Sequence, residues 1–197
     1  MTTTIEVLGL GNSLVDILAH SDDAWLEAQD MAKGAMTLID EDRAEALWAA
    51  RVDPTVISGG SAANTIVGVA SLGVAAAYIG KVRQDPLGAA FIADIRSTGV
   101  RFDTRPAERG PATGRCFVYV TPDGERTMNT YLGASTYLAE PDVDEELVRA
   151  ATVVYLEGYM WDRPAAKSAF QKAGEIAHAA GRRVALHLAD IGGRHAE

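Results

Sequence analysis

Short apolar runs alternate with helical segments along nearly the whole of this 197-residue chain. "TIEVLGLG" (Thr4 to Gly11) is a β-branched and leucine run that ends in glycines, the pattern of a buried strand. "PTVIS", "VAAAYIGKV", "TVVYLEGY" and "RRVALHLAD" repeat it. Between them, "DEDRAEALWAARV" (Asp40 to Val52) has helical spacing with acids in its first turn. "GSAANTIVGVASLG" is a small-residue helix closed by Gly73, and "DPLGAAFIADIRSTG" has Pro86 near its start and Gly99 after its end. "DVDEELVRAA" and "RPAAKSAFQKAGEIAHAAG" complete the set. Strands and helices in this alternation give a parallel sheet with helices on both faces, so the fold class expected is α/β.

One segment breaks the pattern. "TGRCFVYVTPDGERTMNTYLG" (Thr113 to Gly133) reads as two strands around the reversal Pro122 to Glu125. This hairpin, with segments at about 33–39, 54–58 and 100–104, is expected to form a second, smaller sheet spanning 112–133 at its centre. No internal repeat and no linker divides the chain, so residues 1–197 are read as a single domain.

A formal net charge of −9 argues against nucleic acid and anionic membranes as partners, because both reward clustered Lys and Arg. The single cysteine, Cys116, leaves no intramolecular disulfide and no cysteine-rich metal site. The N-terminus lacks a basic region followed by an apolar one, and the weakly polar stretch Ile66 to Gly80 falls short of the ~20 apolar residues of a membrane span. A cytoplasmic location is the expectation. His20, His178, His187 and His195 have no metal-ligand spacing.

Two stretches carry chemistry. In "GLGNSLVD" (Gly9 to Asp16), a dinucleotide fingerprint requires glycine where Leu14 stands, so the oxidoreductase reading rests on a GxG alone. What remains is Asn12 and Asp16 beyond a strand end. An ionised Asp accepts hydrogen bonds only, which suits a vicinal diol; equally, Asn12 suits a turn and Asp16 a solvated side chain. In "SGGSAANT", Gly59 and Gly60 permit close backbone approach, Ser61 is placed to cap a helix, and Asn64 lies in its first turn. No Gly-Lys-Ser/Thr follows, so a Walker loop is excluded. The grip is read as one for a neutral, hydroxyl-rich ligand, although glycines that simply allow close helix–strand packing give the same pattern.

"GGSAANTIVGVASLG" followed by "YIGKVRQDPLG", together with "GLGNSLVDILA", "LIDED" and "ATGRCFVYVTPDGERTMNTYLGAS", resembles the ribokinase (PfkB) family of carbohydrate kinases, most closely its adenosine-kinase branch. The resemblance runs from about Ile5 to Ala189. It implies a ribokinase-like three-layer α/β/α core, incomplete here, with a small β-sheet lid over the sugar. It further implies ATP-dependent phosphorylation of the primary hydroxyl of a nucleoside or sugar, adenosine first among them. Asp16 resembles the carboxylate that holds ribose hydroxyls; Asn12, Gly59, Gly60, Ser61 and Asn64 match further sugar contacts. Met128 and Leu132 resemble lid residues over the base, Tyr159 an aromatic beside it, and Arg126 a lid arginine that reaches toward phosphate. Met36 stands where the family often has a polar residue.

The family's catalytic turn, Asp-Thr-x-Gly-Ala-Gly-Asp, is missing; the only late glycine pair is Gly192-Gly193 in "DIGGRHAE". The chain is therefore expected to be C-terminally truncated and inactive alone. ATP and Mg2+ belong to the intact family enzyme, and this chain is expected to hold neither stably. A non-catalytic nucleoside- or sugar-binding fragment is the rival reading. Lids in the family either cover the sugar alone or pair between subunits, so a lid-mediated homodimer stays open.

Overall fold

A computed structural model describes residues 5–51 and 53–188. The glycine pair 192–193, His195 and the end of the last expected strand lie outside the described residues. In chain order the elements are β1 (Ile5–Leu10), β2 (Leu14–His20), α1 (Asp23–Ala28), β3 (Met36–Leu38), α2 (Glu41–Ala50), β4 (Thr55–Gly59), α3 (Ser61–Ser71), β5 (Ala76–Ile79), α4 (Pro86–Ser97), β6 (Arg101–Phe102), β7 (Thr113–Val120), β8 (Arg126–Gly133), α5 (Glu145–Ala150), β9 (Ala151–Glu157), α6 (Pro164–Ala179) and β10 (Arg183–His187).

Among the described residues, two five-stranded sheets form. The first, in the order β10-β9-β1-β5-β6, is parallel throughout. Leu8, Leu10, Ile79, Val154 and Leu156 pack on α5 and α6 through Leu147, Val148, Ala169 and Phe170. On the opposite face, Ala76, Tyr78 and Phe102 meet Ala62, Ala63 and Ile66 of α3 and Phe91 and Ile95 of α4. Both faces are thus covered, the three-layer arrangement of the ribokinase-like fold. Close helix approach comes from Gly9, where a Cβ would lie 2.5 Å from Ile66 Cγ1; Gly68 of α3, by contrast, has nothing within 4 Å. Among the described residues, no helix is long and apolar enough to cross a membrane.

The second sheet has the order β3-β8-β7-β2-β4 and mixes parallel and antiparallel pairs. Its rear face carries Val15, Ile17, Phe117, Tyr119 and Tyr131, which bury against Leu26 of α1 and Ala44 and Leu47 of α2. Arg115 also points rearward, buried, and pairs with Glu45 of α2 at 2.6 Å. The segment expected at 100–104 does not join this sheet. Arg101–Phe102 pairs in parallel with β5 at the edge of the first sheet, because Phe102 finds its burial between Tyr78 and Phe91. The sequence reading also left out β2, which sits between β7 and β4 in the second sheet.

The two sheets are tied at Asp85. Its carboxylate caps α4, accepting from Gly88 N at 2.7 Å, and also accepts from Thr113 N at 2.8 Å and Thr113 Oγ1 at 2.7 Å, where β7 begins. Asp85→Ala is expected to cost about 2 kcal/mol of unfolding free energy, from the lost cap and tie. The amide of Thr113 should exchange with solvent measurably faster in the variant; unchanged exchange there would show that Asp85 does not anchor the second sheet.

Candidate functional site

The strands β1, β5 and β9 deliver their carboxyl ends to one edge of the first sheet, where ligands of open α/β sheets bind. The group that organises this edge is Glu157, at the end of β9 and 2% exposed. Its carboxylate accepts from Asn12 N (2.9 Å), Asn12 Nδ2 (2.8 Å) and Ala62 N (3.3 Å), the last in the first turn of α3. The helix N-terminus favours negative charge there. Burial nevertheless dominates and holds the Glu157 carboxyl above its usual range, with the bonds from Asn12 and Ala62 pulling the other way. Gly11 makes the room: a Cβ at that position would lie 2.1 Å from Glu157 Oε2.

Asn12 was expected to touch sugar, yet each of its polar atoms has a partner inside the protein. Besides the two bonds to Glu157, its carbonyl accepts from the Tyr78 hydroxyl (2.7 Å) and its Oδ1 from Ser135 Oγ (2.8 Å). It is buried, and the geometry gives it a supporting place. Sequence reasoning missed Glu157 and Ser135 as its partners. The signal for Glu157 was there: a lone acid at the end of the apolar run "TVVYLEGY".

Asp16 does not sit at the carboxyl end of a core strand, as the sequence reading had it, but within β2 of the second sheet. It lies beside Ile57 of β4 and Cys116 of β7, on the face opposite the helices. Gly59 provides its seat, since a Cβ there would come within 2.2 Å of Asp16 Cγ. Burial raises the carboxyl of Asp16 to about 6, opposed by a hydrogen bond with the Asn64 side chain. Asn64 is exposed in the first turn of α3 and accessible from the same mouth. Gly60 is the N-cap residue of α3, with φ of +111°, and a Cβ there would meet the Asn12 carbonyl at 2.3 Å. Ser61 therefore falls one residue too late to cap; its hydroxyl makes no cap bond, and its side chain is exposed.

The front face of the second sheet continues outward from Asp16. Cys116 pairs with Thr130 of β8, and Thr130 with Leu38 of β3, placing Thr130 two strand spacings, roughly 10 Å, from Asp16. Thr130 Oγ1 donates to Cys116 Sγ at 3.2 Å, and burial pushes that thiol up to about 12, so it stays protonated. Met128 and Leu132 flank Thr130 by alternation, partly exposed, and Met36 pairs with Met128. Met36 and Leu38 are 48% and 50% exposed. A cleft of about 270 Å³ opens at Leu38, Ile39, Thr130, Leu132 and Pro111. Tyr159, 40% exposed, follows β9 and stands with its ring 5.9 Å from His187 rather than beside this cleft. Arg126 begins β8 at the hairpin turn, exposed and two residues before Met128. Asp16, Gly59, Gly60, Ser61 and Asn64 thus converge; Arg126 and Tyr159 stand apart from them. Among the described residues, no group of three His, Cys, Asp or Glu is arranged to hold a metal.

Comparison with known proteins agrees with this architecture. The profile of the pfkB family carbohydrate kinases matches residues 37–192. The chain belongs to this family. The structure of an adenosine kinase from Sinorhizobium meliloti superposes with a TM-score of 0.87 at 50% identity, over 95% of this chain and 57% of that one. A probable sugar kinase from Rhizobium etli CFN 42 gives 0.88 at 46% identity, over 96% and 57%. The probable chloroplastic fructokinase-6 of Arabidopsis thaliana is 32% identical over 125 residues, 62% of this chain and 33% of that protein. This PfkB chain therefore spans little more than half the length of the solved relatives and a third of that fructokinase.

The raised carboxyl of Asp16 has a stability consequence. Between its ordinary value of 3.8 and about 6, the folded chain keeps a proton that the unfolded chain has released. The stabilisation is full at low pH and is lost as pH rises through about 6. Its size is up to about 3 kcal/mol. Asp16→Asn is expected to abolish this component and to melt higher than the wild type at pH 7; an identical pH–stability profile in the variant would show that Asp16 is not desolvated.

Proposed function

We propose that this chain forms the acceptor-binding half of an ATP-dependent kinase whose substrate is a nucleoside or sugar, a purine ribonucleoside such as adenosine before a hexose. The observation that carries the reading is the one sheet face on which register places Asp16, Cys116, Thr130 and Leu38 in line, with the apolar cleft at its Thr130–Leu38 end. An ionised carboxylate seated on Gly59 and bonded by Asn64 suits two adjacent ribose hydroxyls, as it only accepts. The walls at Leu38, Ile39 and Leu132 suit a flat, weakly polar ring beyond the sugar. A hexose alone has no use for those walls. The resemblance to an adenosine kinase at 50% identity supports the same choice. The front of the second sheet then acts as the lid over the ligand, with Met128 and Leu132 beside the base. Pairing of two lids through exposed Met36, Leu38 and Ile57 would give the homodimer left open above.

Family membership implies ATP as phosphoryl donor. The 197 residues contain no Gly-Ala-Gly-Asp turn, so no residue here is assigned to the transfer step. Nucleoside binding without turnover is the expected behaviour. Titration of the purified chain with adenosine should show saturable binding that Asp16→Ala abolishes. Incubation with adenosine, ATP and magnesium should yield no AMP. Undiminished binding in Asp16→Ala would remove Asp16 from the site, and clear AMP formation would overturn the binding-half reading.

A further inference from the structure

The cleft beyond Asp16 contains one charged side chain that no resemblance singled out. Arg163 lines it opposite the second sheet, together with Leu38, Ile39, Pro111, Thr130 and Leu132. Its backbone is pinned: its N–H donates to the Met160 carbonyl at 3.0 Å, its carbonyl accepts from Lys167 N at 2.8 Å, and Pro164 follows. It occupies the N-cap position of the 16-residue helix α6. A cation is a poor choice there, because the helix N-terminus already carries partial positive charge. The side chain is exposed and solvated, and among the described residues the guanidinium has no ion-pair or hydrogen-bond partner, so its donors are open to a ligand.

The other polar groups of the cleft are already engaged as the protein uses them. The Thr130 carbonyl accepts from Ile39 N (3.0 Å), the Leu132 carbonyl from Ser135 Oγ (2.6 Å) and the Gly133 carbonyl from Thr136 Oγ1 (2.8 Å). Thr130 Oγ1 donates to Cys116. These carbonyls each keep a second lone pair, so what sets Arg163 apart is that it is the one charged side chain, and the one forked donor, lining the cleft. Guanidinium only donates, and its fork matches two acceptors side by side. The O6 and N7 atoms of a 6-oxopurine present such a pair, whereas the 6-amino group of adenine presents a donor to a donor.

We infer that Arg163 sets base preference, and that this chain takes a 6-oxopurine ribonucleoside, inosine or guanosine, in preference to adenosine. The inference rests on the nucleoside reading above. Calorimetric titration of the 197-residue chain with inosine, guanosine and adenosine tests it, alongside Arg163→Met and Arg163→Lys. Inosine and guanosine should bind wild type about tenfold or more tightly than adenosine, in line with one good bidentate pair. Arg163→Met should erase that ratio by weakening the 6-oxopurines while leaving adenosine within about threefold, which a loss of fold would not do. Arg163→Lys, which keeps charge and loses the fork, should fall between. Adenosine binding as tightly as inosine, or a ratio unchanged in Arg163→Met, would overturn the role of Arg163 alone. Failure of every nucleoside to bind wild type would overturn the nucleoside reading and this inference with it.

Discussion

The buried carboxylate of Glu157 is the constraint on which the carboxyl edge of the first sheet depends. It takes both donors of Asn12 and the first-turn amide of Ala62, so the ends of β1 and β9 and the start of α3 cannot move independently. Through Asn12 the same carboxylate reaches Tyr78 on β5 and Ser135 after β8. A buried charge left short of partners is costly, so the arrangement holds together or fails together. That is a physical reason for a rigid edge beneath a more exposed sheet.

The glycines around this edge follow from the carboxylates. Gly11 leaves space for Glu157, and Gly59 leaves space for Asp16. In both places a methyl group would meet the acid itself rather than a ligand. Gly60 differs: its positive φ turns the chain from β4 into α3 and keeps it off the Asn12 carbonyl. The missing lysine of a phosphate loop is thus no defect, since these glycines accommodate acids, and acids repel phosphate. Asp16 illustrates the stability cost of such a site. Its seat desolvates a carboxyl group, and burial there disfavours the ionised form.

Much of this was legible in the sequence. The alternation of apolar runs and helices encodes the parallel sheet, and the "GGSAAN" spacing encodes the mouth where Asp16 and Asn64 meet. Four features were not legible, each for a reason. Arg101–Phe102 is too short for periodicity to assign it to a sheet; only the ring contacts of Phe102 do so. β2 follows β1 after three residues, so local pattern does not reveal that the chain leaves one sheet for the other. Asn12 has the composition of a ligand contact, and only the three-dimensional positions of Glu157 and Ser135 show its bonds spent internally. Arg163 looks like an ordinary helix-flanking cation until the cleft is seen.

The second sheet divides its chemistry strictly between two faces, and strand register enforces the division. Val15 and Ile17 anchor the rear against α1 and α2, which obliges Asp16 to face front. A slip of one residue would bury Asp16 among Leu26 and Leu47 and expose the anchors, an exchange that buried apolar area forbids. Register is fixed further where β7 begins. There Gly114 packs so closely that a Cβ would lie 2.4 Å from both the Leu132 carbonyl and Leu14 Cδ2, and Thr113 is clamped by Asp85. The residues that determine where Asp16 points are therefore mostly on the other face of the sheet or at its base. Variation on the front, at Met36, Leu38, Met128 or Leu132, leaves that scaffold untouched, because none of these side chains takes part in the anchoring contacts of the rear face.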